Sequence, residues 1–251
     1  MLVVVGAVVA WGGAVWADPI VNDPMSTVVT ITATSASGTG QFTVVVPASF
    51  GAEGYSEYSL DTPVTIYNDA GAALAQIKQL VIGTDQDPDV VLKFSVQNSS
   101  ATPTGFTATS SLVTFSPIVN PQALATAGLT LTDTNGNGAT LTGQFAGGKA
   151  FHAMYDNTPV QTFAYLLDNM TAGIYSTGIQ SGRQPVAGWS SISGSVYNMQ
   201  SEFSFVLSGM DEASGTSDYQ IQVAVPEPAT MTLMGSGLLS MVAIWWRRRM
   251  K

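Results

Sequence analysis

The side chains able to do chemistry in this chain are few, and most of them are oxygen donors. Asp133, Asn135 and Asn137 alternate ahead of Gly138. That is the opening of a calcium loop, in which oxygens at alternate positions surround a hard cation and the glycine takes the sharp turn. The twelfth position of such a loop falls on Gln144 and not on a bidentate glutamate, which removes much of the affinity expected of it. The flanks Leu129-Thr130-Leu131-Thr132 and Ala139-Thr140-Leu141-Thr142 read as strands, so the same residues equally describe a hairpin loop. A second cluster, Asp85, Asp87 and Asp89, crowds three carboxylates into one short segment, where a divalent cation would relieve their repulsion. Its alternative is a solvated turn that discourages aggregation.

The remaining candidates are weaker. The single histidine, His152, lies in a strand-like run and has no nucleophile-elbow sequence to serve, which makes it a structural histidine. Asp156 and Glu202 are carboxylates of the kind glycoside hydrolysis uses, but any acidic domain supplies such pairs. Trp189 is the only tryptophan outside the two ends of the chain. With Tyr197 it offers a surface on which a sugar ring could stack, or else a core aromatic.

Composition narrows the chemistry further. With no cysteine, thiolate catalysis, cysteine metal sites and disulfide staples are all excluded, and one histidine rules out multi-histidine zinc sites. Four of the eight basic residues (Arg247, Arg248, Arg249 and Lys251) stand at the C-terminus, leaving four against sixteen acidic residues between positions 18 and 225. So acidic a body disfavours nucleic acid, and anionic lipid or polysaccharide, as direct partners unless cations bridge the contact.

The elements that must position these residues read as strands almost throughout. Val29, Ile31 and Ala33 alternate with threonines; Phe42, Val44 and Val46, then Leu92, Phe94 and Val96, then Phe203, Phe205 and Leu207 repeat the pattern. Tyr219, Ile221, Val223 and Val225 form a last period-two run. Apolar side chains at every second position, with hydroxyls and amides between, predict half-buried strands in two packed antiparallel sheets. Turns are expected at Ser37-Gly38-Thr39-Gly40, at Asn68 to Gly71, at Asn135-Gly136-Asn137-Gly138 and at Ser214-Gly215-Thr216. Asn120-Pro121 has the form of a helix start, which puts one helical turn over residues 122–127. Residues 72–81 are ambiguous in period and are assigned to strand, and the glycine- and serine-rich stretch 173–195 is assigned to a long loop. The fold class is therefore all-β: a single antiparallel β-sandwich, jelly-roll-like, over residues 18–225.

Both ends of the chain are apolar. Residues 1–17 resemble a secretory signal peptide with a small-residue cleavage site ending at Ala17, although no basic residue precedes the apolar run. At the other end Pro226-Glu227-Pro228 precedes an uncharged run over 229–246, then Arg247-Arg248-Arg249-Met250-Lys251. As a helix, about 18 residues would span roughly 27 Å, enough to cross a bilayer's hydrocarbon core. Trp245 and Trp246 belong at the interface, and the basic end belongs in the cytoplasm by the positive-inside rule.

Together these features resemble the PEP-CTERM sorting signal of Gram-negative bacteria. The resemblance rests on Val225-Pro226-Glu227-Pro228-Ala229-Thr230, the apolar run and the terminal arginines. It implies an exosortase as partner, recognition at Pro226, Glu227 and Pro228, and an exported protein held by its tail in the inner membrane before release to the cell surface or matrix. The stretch between Phe42 and Phe145 resembles the β-rich bodies that accompany such tails, which implies a β-sandwich and carries over no catalytic residue. Two roles follow. The first is a non-enzymatic surface or biofilm-matrix protein associated with exopolysaccharide, with no cofactor beyond calcium; the second is a carbohydrate-binding module using Trp189 and Tyr197, again with calcium. Nucleic acid is not an expected partner.

Overall fold

The structure, a computed structural model, describes residues 27–46, 55–85, 88–110, 112–157 and 159–224. The expected leader over 1–17, the Pro226-Glu227-Pro228 motif, the apolar run 229–246, the basic end and Asp87 lie outside these residues. Among the described residues no helix is long and apolar enough to cross a membrane.

Seventeen strands run through the described residues. β1 (Thr27–Ser35) and β2 (Gly38–Val46) form a hairpin; β3 (Tyr55–Ser59) and β4 (Val64–Tyr67) each pair with the long β5 (Ala73–Asp85), which turns back into β6 (Asp89–Asn98). β7 (Thr104–Thr109), β8 (Val113–Val119), β9 (Gln122–Thr132) and β10 (Ala139–Gly143) follow. β11 (Phe151–Asn157) and β12 (Val160–Leu166) form another hairpin, and β13 (Met170–Ala172), β14 (Thr177–Gln184) and the two-residue β15 (Ser190–Ser191) lead to β16 (Ser195–Leu207) and β17 (Glu212–Gln222).

These strands make two antiparallel sheets. One has nine strands, ordered β12-β11-β16-β7-β1-β2 with β8, β10 and β13 attached; the other has eight, ordered β14-β9-β17-β6-β5-β3 with β4 and β15 attached. The sheets face one another through the predicted alternation. Val29, Ile31, Ala33, Phe106, Phe203 and Phe205 of the first sheet meet Leu92, Phe94, Val96, Leu129, Leu131 and Tyr219 of the second, all buried in one core. Aromatic rings lock the layers together: Phe94 stands edge-on to Phe203 with centroids 5.0 Å apart, and Phe163 stacks on Tyr219 at 5.6 Å.

Four local expectations are corrected. Residues 122–127 are strand, because Ala123, Ala125 and Ala127 continue the buried alternation into Leu129 and Leu131, while Asn120 adopts a left-handed turn and accepts from Gly194 N–H. Gly215 is not in a turn but midway along β17, where a Cβ would come within 2.4 Å of the Phe94 ring. The missing side chain makes room for the Phe94 ring, which meets Phe203 and Phe205 of the facing sheet. The stretch 173–195 is not a long loop, since β14 pairs with β9 over eight residues. Gly178 and Gly182 occur there because β14 packs closely; Cβ atoms at those positions would lie 3.0 Å from Thr171 O and 3.3 Å from Leu166 Cβ. Finally, 133–138 is not a hairpin, because β9 and β10 belong to different sheets. Residues 72–81 are strand as assigned, within β5 from Ala73 onward.

Candidate functional site

The three sheet-to-sheet crossings after β6, β9 and β16 come together at one end of the sandwich. There the predicted calcium-loop residues act as a clamp. One Asp133 carboxylate oxygen accepts from the N–H groups of Asn135 and Gly136, and the other accepts from Tyr175 N–H at 2.6 Å. Burial alone would raise its pKa, but the N–H groups of Tyr175, Gly138, Gly136 and Asn135 outweigh it and hold the pKa below the ordinary aspartate value. Asn135 Oδ1 accepts from Asn137 N–H, and its amide donates to Gly209 O. Thr134 donates from its hydroxyl to Met210 O and from its N–H to Asp211, whose other oxygen accepts from Ser208. Beside them the fully buried Asn98 donates to Thr102, Leu207 and Ser208 carbonyls and accepts from Ser100 N–H and the Thr104 hydroxyl. Both Asp133 oxygens and Asn135 Oδ1 are thus already accepting from the protein itself. Among the described residues no group of three His, Asp or Glu side chains could hold a metal ion.

Of the second acidic cluster, Asp85 at the end of β5 stands opposite Asp89 at the start of β6 in register. His152 is a buried strand residue, as expected. Its Nε2 lies 3.0 Å from the Thr162 hydroxyl, and its ring stacks on Tyr165 at 4.3 Å with Phe145 beside it. Burial lowers its pKa to about 4, so at neutral pH the ring is uncharged and a poor proton acceptor. Glu202 stands directly across from it on β16, and burial raises its pKa. Asp156 accepts from Tyr197 N–H. Trp189 and Tyr197 are not brought together: Trp189 is half-buried in the loop before β15 of the eight-stranded sheet, and Tyr197 is on β16 of the other.

What sequence reading did not find is a groove of about 710 Å³ on the outer face of the eight-stranded sheet. Two cross-strand rows form it. One runs Arg183, Thr126, Asp218, Val91 and the next Ser181, Gly128, Thr216, Lys93, across β14, β9, β17 and β6. These are the outward positions of strands whose alternate residues fill the core. Gly128 keeps the floor low; a Cβ there would lie 3.3 Å from the Thr216 hydroxyl oxygen. Arg183 donates to Gly188 O, which ties the Trp189-bearing loop to the groove's edge.

The charges are distributed unevenly between these places. Lys78 is paired with Glu212 at 2.6 Å and Lys149 with Asp168 at 2.7 Å. Lys93 and Arg183, the other two basic residues before the tail, form no salt bridge among the described residues, and both line the groove. A tally of basic residues could have flagged them, but only the structure shows which cations are already neutralised.

Residues 224–249 match the PEP-CTERM protein-sorting motif, so the chain carries that motif in its tail. No curated protein matches the chain. Among solved structures, a xylan-binding domain from Paenibacillus barcinonensis is 11% identical, covering 68% of this chain and 86% of that one with a TM-score of 0.25. An Arthrobacter globiformis isomalto-dextranase complexed with panose is 12% identical, covering 72% of this chain and 25% of that one at 0.21. An infectious bursal disease virus structure is 9% identical, covering 81% and 59% at 0.27.

Proposed function

We propose that the chain is an exported, non-enzymatic surface or matrix protein, sorted by an exosortase through its tail, whose β-sandwich serves adhesion within an exopolysaccharide-rich layer. The observation that carries this reading is the sorting motif at 224–249. An uncharged run of about 18 residues before a basic end suits a tail held in the inner membrane with the sandwich on the far side. The absence of catalysis is argued from the site chemistry: the single histidine is buried and neutral, stacked on Tyr165 with a threonine hydroxyl as its partner.

A second reading, a carbohydrate-binding module, is favoured by the groove. Its floor of threonine and serine hydroxyls matches the polar edges of a sugar chain, and the loop bearing Trp189 lies at one rim. Calcium, if it participates, acts on stability and not on catalysis.

The sorting half of the proposal is tested by mass spectrometry of the mature C-terminus. In exosortase-competent cells the wild-type protein should have lost Lys251, whereas Glu227→Ala should persist as an uncut, membrane-held precursor. Wild-type protein that retains Lys251 under those conditions would reduce the tail to an ordinary anchor.

A further inference from the structure

We infer that the groove on the outer face of the eight-stranded sheet binds a carboxylated polysaccharide, with Lys93 and Arg183 each meeting an acidic sugar. The inference deepens the reading of the chain as a matrix protein by naming the polymer class its sandwich holds, and it departs from the expectation that so acidic a body disfavours anionic polysaccharide, because the unpaired cations are gathered in one groove. Between positions 18 and 225 the chain has four basic and sixteen acidic residues, so an unneutralised cation is rare on this surface. Two of the four basic side chains are neutralised, one by Glu212 and one by Asp168. The remaining two face a single groove, where Asp218 is the only carboxylate lining it among the described residues. Asp218 forms no salt bridge with either of them, one of its oxygens accepting from the Gln220 amide, and two cations against one carboxylate leave the groove with positive charge in excess.

Lys93 and Arg183 sit three strands apart and one row out of line. At about 4.8 Å between strands and about 7 Å along two residues, their Cα atoms are roughly 16 Å apart. That distance suits several units of an extended chain. Between the cations lie the hydroxyls of Thr126, Ser181 and Thr216 over the bare backbone of Gly128, a floor that pairs with sugar hydroxyls and lets a ribbon-like chain lie flat. Among the described residues the groove has no aromatic lining, so selectivity must come from charge and hydroxyl contacts, not from stacking. That predicts a preference for acidic over neutral glycans, with strong sensitivity to salt.

The test is native affinity electrophoresis of the full chain in non-ionic detergent, through gels containing polygalacturonate, alginate or neutral dextran, with chelator present throughout. The tail arginines are common to every protein compared and cancel. Wild type should be retarded by at least one polyuronate and not by dextran, and the retardation should fade at high salt. Lys93→Gln/Arg183→Gln should weaken binding about tenfold, as expected for losing two exposed charge contacts. Gly128→Val, which raises the floor without touching charge, should also weaken it. Equal retardation by dextran, no retardation by either polyuronate, or undiminished retardation of the double variant would each overturn the inference. Because none of these measurements involves an exosortase, their failure leaves the sorting proposal standing, and failure of sorting leaves them unaffected.

Discussion

Two polar regions of this sandwich are built from similar residue types and end in opposite states. At the end where the sheets exchange strands, Asn98, Asp133, Thr134, Asn135, Ser208 and Asp211 bond to one another's segments and to the backbone of the crossings. On the outer face of the eight-stranded sheet, Lys93 and Arg183 have no acidic partner among the described residues. Burial accounts for the difference. A buried carboxylate or amide left unpaired costs about 1–3 kcal/mol or more, so the clamp had to be satisfied for the chain to fold. An exposed cation carries no such penalty, because water solvates it until a ligand arrives. A satisfied network therefore indicates stability, and an unsatisfied charge on a shaped surface indicates a partner.

The largest effect that would break this comparison lies in the clamp. Asn98→Ala removes a buried amide engaged at both ends and should cost about 3 kcal/mol, lowering Tm by roughly 6–12 °C for a domain of this size. Binding in the groove, measured well below the melt, should be unchanged. If thermal denaturation showed Asn98→Ala to be neutral, the clamp would not be the structural centre of that end.

Acid sharpens the comparison with a smaller and graded effect. The folded pKa of His152 is about 4 against an ordinary value of 6.5, so below pH 6.5 the unfolded chain takes up a proton that the folded one refuses. That contribution is fully present above pH 6.5 and is lost progressively as pH falls to about 4. Glu202 acts in the opposite sense: with its folded pKa raised, its contribution is lost as pH rises through that pKa. Asp133, with its folded pKa lowered, loses its contribution only at still lower pH, below the ordinary aspartate value. The net expectation is a Tm that falls between pH 6.5 and 4, with a shallower fall in His152→Gln. Retardation by polyuronate, measured well below the melt over the same range, should persist while stability declines. A pH profile of Tm that His152→Gln leaves unaltered would remove the histidine from this account.

The smallest effect is expected from calcium. Asp133 and Asn135 offer oxygens already committed to N–H groups. Chelator should therefore move the wild-type Tm by no more than a degree or two, on the order of the shift a weak site gives at millimolar ion. A larger shift that Asp133→Asn abolishes would restore the metal reading of that loop.

The residues that could be read in advance were those whose cause is local. Alternation at Val29, Ile31, Ala33 and at Phe203, Phe205, Leu207 identified strands and their buried faces, because period two is a property of neighbouring residues. The tail motif was equally local. Gln122 to Ala127 misled because Asn120-Pro121 has the chemistry of a helix start, while the competing demand came from β14 and β17, which bracket that strand from distant parts of the chain. Gly215 read as a turn for the same reason, its partner Phe94 being more than a hundred residues away. The groove was illegible in principle: its two rows draw on β6, β9, β14 and β17, and which side chains share a row depends on the register of every intervening pair.

The division of labour between the two regions is tested most directly by running Asn98→Ala and Lys93→Gln/Arg183→Gln side by side, each scored for Tm and for retardation in the same polyuronate gel. The expected result is crossed: Asn98→Ala melts early and is retarded like wild type, whereas the double variant melts like wild type and binds about tenfold more weakly. Loss of retardation in step with loss of stability across both variants would contradict it, because binding would then follow the integrity of the fold and not the two unpaired cations.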